Sequence, residues 1–125
     1  RYVGTEFAHR DERGDEWALE VRYERNDADG ARYQWNRMSY GVEYGMAIGQ
    51  RGRLEIDVKY RLLNYTARTV EIEDVDVPRR DHRWTPSVVW RHNVTGATEL
   101  RLGYVHDGRI SNDPSRDFGA SQFIC

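Results

Sequence analysis

The stretch RLEIDVKYRL, residues 53–62, alternates apolar and charged side chains without a break. Its apolar members are Leu54, Ile56, Val58, Tyr60 and Leu62, and its charged members are Arg53, Glu55, Asp57, Lys59 and Arg61. Successive side chains of a β-strand point to opposite faces of a sheet, so this period of two predicts a strand with one apolar and one ionic face. The function depends on which of the two faces is enclosed.

Other stretches with the same period predict further strands, and no stretch of helical period competes with them. We expect strands at about 2–9, 17–24, 32–48, 83–92 and 98–104, and a last one that begins near Phe118. Tyr33 and Trp35 have the opposite parity to the rest of the third strand. They predict either a bulge near Asn36 or a segment that extends beyond the packed layer.

The segments between the predicted strands are rich in Gly, Asn and Asp, which favour turns. Turns are expected at 10–15, Asn26–Gly30, 49–52 and 93–96, and a polar loop at 107–117. Residues 64–82 form a long connection in which 69–77 alternate again, as a strand extension or a small hairpin. Pro86 argues against a regular central strand, because proline lacks the N–H that a ladder needs. Turns after the first, third and fifth strands are compact, and the others are on average longer and more polar.

The chain of 125 residues corresponds to a single domain over residues 1–125. We predict an all-β fold, an antiparallel up-and-down meander of about seven or eight strands that forms a transmembrane β-barrel or part of one. The mean hydropathy of −0.88 and the absence of a long apolar run exclude a transmembrane helix. A net charge of −2 offers no basic excess for nucleic acid, so no nucleic-acid partner is expected.

We expect no metal and no cofactor. Cys125 is the one cysteine, and the chain contains no CxxC pair. Its histidines lack the spacing of metal ligands. These histidines are His9, His82, His92 and His106.

Three features favour a barrel with its ionic face inward. The ionic face carries both signs of charge, which suits ion pairs between strands. Small residues such as Gly41, Gly45 and Gly103 are interleaved on that face and leave room for long Arg and Glu side chains. Aromatic residues near the strand ends, together with an asymmetry of loop length between the two ends, are typical of outer-membrane barrels.

This orientation assigns a role to each face. The residues predicted to face the lumen are Glu20, Arg22, Glu43, Arg53, Glu55, Asp57, Lys59, Arg61, Glu99 and Arg101. The residues predicted to face lipid are Trp17, Leu19, Val21, Val42, Leu54, Ile56, Val58, Leu100 and Leu102.

Three segments carry a resemblance to Gram-negative outer-membrane β-barrel proteins. They are RWTPSV at 83–88, ELRLGY at 99–104 and the loop SNDPSRDF at 111–118. The resemblance implies an outer-membrane location and a porin-like role as a channel, sheath or export conduit. It also implies contact with outer-membrane lipid and a plug or partner protein in the lumen. Many such barrels end in an aromatic residue, whereas this chain ends in Cys125, so we expect a fragment of a larger barrel.

Two alternatives remain open at this stage. A soluble β-barrel or sandwich would bind a small apolar ligand in a pocket lined by Tyr40, Tyr44, Met46, Tyr60, Trp90 and Tyr104. An enzyme is not expected, although an outer-membrane lipid hydrolase is a third interpretation. In that case His106 would act as the base and nearby Ser111 as the nucleophile on an ester.

Overall fold

The structure is a computed structural model that describes residues 1–27 and 34–125. These residues form one antiparallel sheet of seven strands that neighbour each other in chain order. The strands are β1 (Tyr2–Arg10), β2 (Glu16–Asn26), β3 (Trp35–Ile48), β4 (Gly52–Ile72), β5 (Val75–Thr95), β6 (Thr98–Ser111) and β7 (Phe118–Ile124). The predicted all-β antiparallel meander is therefore confirmed.

Two parts of the sequence prediction fall on residues 28–33, which lie outside the described residues. They are the later part of the turn predicted at Asn26–Gly30 and the predicted start of the third strand, including Tyr33. Among the described residues the helical segment is a single 3-10 turn, Pro114–Arg116. No helix in the described ranges has the length and apolarity needed to cross a membrane.

The sheet is curved, with its ionic face on the inner side. A groove of about 760 Å³ is lined by residues of six strands, from Arg10 of β1 to Arg101 of β6. Strands β1 and β7 form the two edges of the sheet and do not pair with each other in the described structure. An antiparallel meander reverses direction at each turn, so β1 and β7 run the same way.

Residues 64–82 form the closed end of a long hairpin. The small hairpin that was one prediction for 69–77 is therefore confirmed, and the long connection predicted around it is wrong. Strand β4 continues to Ile72 and β5 begins at Val75, so each strand has 21 residues. The link between them is the pair Glu73 and Asp74, which both have positive φ angles. Two consecutive left-handed residues are what a tight hairpin turn with the twist of its strands requires. Between β4 and β5, the residues that had been predicted as a connection therefore belong to the two strands and not to a loop.

Of the two alternatives predicted from the parity of Tyr33 and Trp35, the bulge near Asn36 is wrong, because β3 keeps its register with β2 and β4 through that residue. Trp35 simply points to the ionic face, where the Arg37 guanidinium lies 5.0 Å from its ring centre. The irregularity is in the β4–β5 pair instead. Its register shifts between Asn64 and Thr69, so four residues of β4 oppose a single residue, Arg79.

Pro86 occupies the middle of β5 in spite of its missing N–H. It pairs with Val58 on the β4 side, whereas the pairing of β5 with β6 is interrupted between Trp84 and Ser87. The register is the same before and after this gap. The strand thus tolerates the proline because the interruption is confined to one of its two neighbours.

Strand β6 is longer than predicted, because residues 107–111 belong to the strand and not to the polar loop. Asp107 binds Arg83, and Arg109 binds Asp81 of β5. Gly108 lies beneath the Trp84 indole, which occupies the space of a side chain there. These contacts with β5 hold a polar segment in the sheet.

Candidate functional site

The register brings all ten residues predicted to face the lumen to one face of the sheet. Residues paired directly across antiparallel strands point to the same side. Glu20 pairs with Gly41, which pairs with Lys59, and Glu43 pairs with Asp57. The same relation joins Arg22 to Arg61 through Ser39, and Arg53 to Arg101 through Arg91. Glu99 has the same parity but lies exposed at the start of β6.

The nine residues predicted to face lipid share the opposite face. Leu19, Val42 and Val58 form one continuous row across β2, β3 and β4, and Leu54 is joined to Leu102 through Trp90. Eight of the nine are exposed, and Leu54 is half-buried. Among the hydrophobic residues of the described chain, Val89 alone is buried. The sheet thus has no apolar core of its own.

Aromatic side chains bracket aliphatic ones along three strands of this apolar face. On β2, Trp17 and Tyr23 stand at either end of Leu19 and Val21. The same order is seen in Tyr40, Val42 and Tyr44 of β3 and in Trp84, Pro86, Val88 and Trp90 of β5. At about 3.4 Å per residue, the Trp17–Tyr23 and Trp84–Trp90 spacings are about 20 Å along the strand.

A ladder of alternating charges crosses the ionic face near the end of the sheet that holds the β1–β2, β3–β4 and β5–β6 turns. It begins at Arg10 on β1 and continues through Glu16, Arg53 and Glu55 to Arg91 on β5. Nε of Arg53 lies 3.5 Å from Glu55, and Arg91 lies 3.0 Å from the other oxygen of that carboxylate. We call these five residues the ion-pair ladder.

Glycines create the space that these long side chains need, as predicted from the sequence. A β-carbon at Gly45 would lie 3.1 Å from Cζ of Arg53, and one at Gly41 would lie 3.4 Å from Cβ of Glu20. Gly45 and Gly41 are themselves buried beneath those side chains. The side chains that cover β3 therefore come from its neighbours on both sides.

A second group of charges on β3 and β4 lies on the same face, further from those turns than the ion-pair ladder. Nζ of Lys59 is 3.7 Å from Glu43 and 3.5 Å from Oδ2 of Asp57. That Asp57 oxygen is buried and accepts no hydrogen bond from the described residues, so the contact with Lys59 is a charge contact without hydrogen-bond geometry. Asp57 therefore keeps one buried acceptor atom without a hydrogen bond.

The most enclosed charges form a cluster that the sequence analysis did not identify. Arg79 donates two hydrogen bonds to Asp81, at 3.0 and 2.7 Å, and Asp81 also accepts from Ser111 and Arg109. The Arg79 guanidinium lies 4.8 Å from the ring centre of Tyr65, within the irregular part of β4. The cluster was missed because residues 64–82 were interpreted as a connection, which hid the pairing of Asp81 with Ser111.

Two of the predicted lumen cations have no counter-charge within ion-pair distance in the described structure. The Arg61 side chain makes no hydrogen bond or ion pair with the described residues. It interacts with Asp107 only through the longer-range attraction of their charges. Arg101 lines the groove and is likewise without an acidic partner. Arg22, by contrast, lies 2.6 Å from Glu20. The ionic face therefore combines paired charges with a few unpaired arginines.

The His106–Ser111 pair considered for ester hydrolysis is not brought together. Ser111 is buried, and its hydroxyl donates to Asp81 on the ionic face. His106 instead shares a hydrogen bond of 2.9 Å with Ser121 of β7, whose hydroxyl also contacts the Tyr104 hydroxyl at 2.9 Å. The register places this group of three side chains on the apolar face.

The six residues predicted to line an apolar pocket in a soluble fold also lie on the exposed apolar face. They are Tyr40, Tyr44, Met46, Tyr60, Trp90 and Tyr104. Of these, Tyr44 contributes to the groove, as do Trp17 and Ile56 of the residues predicted to face lipid. The rest of the groove is lined largely by ionic and small side chains. Over residues 1–27 and 34–125, no group of three or more His, Cys, Asp or Glu side chains is arranged to hold a metal ion.

The loop after β6 is ordered by its own side chains. Asp113 accepts hydrogen bonds from the Ser115 backbone at 3.2 Å and from the Ser115 hydroxyl at 2.6 Å, and it thereby caps the 3-10 turn. Hydrogen bonding by Ser115 lowers the pKa of the Asp113 carboxyl, so the capping carboxylate stays charged to a lower pH than an ordinary aspartate.

Comparisons of the chain with protein-family models, with curated proteins and with solved structures found no match.

Proposed function

We propose that this chain is an outer-membrane β-barrel, or one wall of a larger one, and that it acts as a channel, sheath or export conduit with a charged lumen. The observation that carries the proposal is the contrast between the two faces. The apolar face is exposed, with Val42 at 50% and Val58 at 42%, whereas the charged side chains line the inner groove. In this proposal outer-membrane lipid covers the apolar face.

The energetics support a lipid-covered face. Complete burial of one Val, Leu or Phe side chain stabilises by about 1.5–3 kcal/mol, and the described sheet forgoes this for nearly all of its apolar residues. A water-soluble fold needs a core that outweighs the conformational entropy lost on folding. Acyl chains supply the missing apolar surroundings, and the aromatic brackets suit the two lipid–water interfaces.

Strand length and strand direction support the same proposal. A membrane-crossing β-strand needs about 9–11 residues, and β1 to β6 have between 9 and 21. Strands β1 and β7 run in the same direction, so an all-antiparallel closure requires an odd number of further strands between them. This favours one wall of a larger barrel, in whose lumen a plug or partner protein would contact the ion-pair ladder.

The proposal is tested by purifying the chain and following its dependence on detergent. We expect monodisperse protein in micelles and aggregation after detergent removal. We also expect faster migration on a denaturing gel before boiling than after it, because a membrane barrel resists unfolding in the cold sample. A monomeric, cooperatively melting sample in plain buffer would contradict the proposal and favour the soluble alternative.

A further inference from the structure

The ionic face holds two rows in which three arginines are directly opposed on adjacent strands. The lower triplet is Arg53, Arg91 and Arg101, and the upper triplet is Arg61, Arg83 and Arg109. In each row one arginine comes from β4, one from β5 and one from β6. The two rows are eight residues apart, which corresponds to about 27 Å along the strands.

Directly opposed residues in an antiparallel sheet have Cα atoms about 5 Å apart, and like charges in such positions are destabilising. A single opposed pair of arginines is readily offset by acidic neighbours. Here each row contains two such pairs in succession, which makes the arrangement costly unless counter-charges offset it.

The acidic neighbours offset this repulsion incompletely. In the lower triplet, Glu16 and Glu55 bind Arg53 and Arg91, whereas Arg101 has no acidic partner among the described residues. Nε of Arg91 is buried and has no acceptor. The lower triplet therefore offers an unpaired guanidinium beside an unsatisfied buried donor.

The upper triplet repeats this pattern. Asp107 binds Arg83, and Asp81 binds Arg109, but Arg61 lies beyond ion-pair distance of any described carboxylate. Each triplet thus consists of two paired arginines and one unpaired one. In both rows the unpaired residue is at an end of the row, Arg101 on β6 and Arg61 on β4.

We infer that the two triplets bind an anionic small solute through its phosphate or carboxylate groups and form two successive binding positions along the ionic face. The inference rests on the proposed function, because it assigns the class of solute that a conduit of this kind would take. The guanidinium group presents several donors in one plane and is matched to such oxyanions. A bound oxyanion would supply both the counter-charge and the acceptors that Arg61 and Arg101 lack.

The test is a titration of the purified chain with inorganic tripolyphosphate or with citrate at low ionic strength, followed by calorimetry. The two probes distinguish a preference for phosphate from one for carboxylate. The key variant is the double substitution Arg61→Gln with Arg101→Gln. The matched control is Arg13→Gln with Arg116→Gln, which removes the same two positive charges from exposed residues outside the β-strands.

We expect the parent chain to bind at least one of the two probes, and added salt to weaken that binding. The double variant should bind about tenfold more weakly or worse, because charge-assisted hydrogen bonds are lost. The control double variant should bind like the parent. Absence of binding by the parent chain, or equal binding by the double variant, would overturn the inference.

A stability measurement keeps the test independent of misfolding. Because Arg61 and Arg101 stand next to like charges, each single Gln variant should melt at the same temperature as the parent or at a higher one. A lower melting temperature for both would show that these arginines are already paired and would also overturn the inference. The titration needs no bilayer. A chain that proves monomeric without detergent would contradict the proposed function, while the titration in plain buffer would still decide the anion site.

Discussion

The guanidinium of Arg53 fills the space in which a side chain at residue 45 would begin. Its Cζ lies 3.1 Å from the position of a β-carbon on Gly45, and it continues over β3 to bind Glu16 of β2. Strands β2 and β4 are not adjacent in the sheet. The missing side chain of Gly45 is therefore what allows the ion-pair ladder to pass from one to the other.

Substitution of Gly45 should break this contact. In Gly45→Val the new methyl groups displace Arg53 and separate it from Glu16, and we expect the free energy of unfolding to fall by about 1–3 kcal/mol. Urea titration followed by tryptophan fluorescence measures the change. The control is Gly96→Val, since no atom lies within 4 Å of a β-carbon at Gly96. Equal losses in the two variants would show that Gly45 has no special role.

The buried Arg79–Asp81 pair should be far more sensitive than exposed ion pairs. The two side chains are 7% and 4% exposed. Asp81→Asn leaves the Arg79 charge buried without its counter-charge, and we expect a loss of about 3–5 kcal/mol in the free energy of unfolding.

The matched control for this prediction is Asp27→Asn, which breaks the exposed Arg25–Asp27 pair. Its expected effect is at most about 1 kcal/mol, because solvent screens an exposed pair. Thermal or urea unfolding of both variants checks the difference. If Asp81→Asn were as mild as Asp27→Asn, the cluster would not stabilise this end of the sheet.

The sequence was sufficient to predict the meander and the two faces, because alternation over a stretch such as 53–62 specifies both. Gly41 and Gly45 were also predicted correctly as spaces for long side chains, whereas Gly103 lies against Val89. The faces and the positions of the strands depend on the local pattern of the sequence. The strand order could be predicted because neighbouring strands joined by short turns pair in chain order.

The sequence was insufficient where the outcome depended on contacts between strands. Residues 64–82 lack continuous alternation because four residues of β4 oppose Arg79 alone. Apart from the alternating part 69–77, this end of the long hairpin was therefore interpreted as a connection. Asp107 and Arg109 belong to β6 because they bind Arg83 and Asp81, which cannot be known before the register is fixed. Trp35 caused the wrong prediction of a bulge, since an aromatic ring on the ionic face had not been expected to pack against Arg37.

Lipid contact should make the centre of the apolar face intolerant of charge. Val42 is 50% exposed at the middle of β3, and Val94 is 49% exposed near the end of β5. In a bilayer, Val42→Lys should cost about 2–4 kcal/mol, and Val94→Lys about 0–1 kcal/mol, because the cost falls towards the interface.

The same two substitutions on a water-covered face should each change stability by no more than about 0.5 kcal/mol, because both valines are already exposed. Unfolding of the two variants from lipid vesicles supplies the comparison. A tolerated lysine at residue 42 would argue against lipid at this face.

The proposed orientation places the apolar face against lipid and the ionic face against an aqueous interior. Asp57 and Val58 are adjacent on β4 and point to opposite faces. With Cys125→Ser as background, nitroxide labels at Asp57→Cys and Val58→Cys report their surroundings in vesicles through collisions with oxygen and with a water-soluble nickel chelate. We expect the ratio of oxygen to nickel accessibility to be higher at residue 58 than at residue 57. The reverse order, with residue 57 in lipid and residue 58 in water, would contradict this orientation.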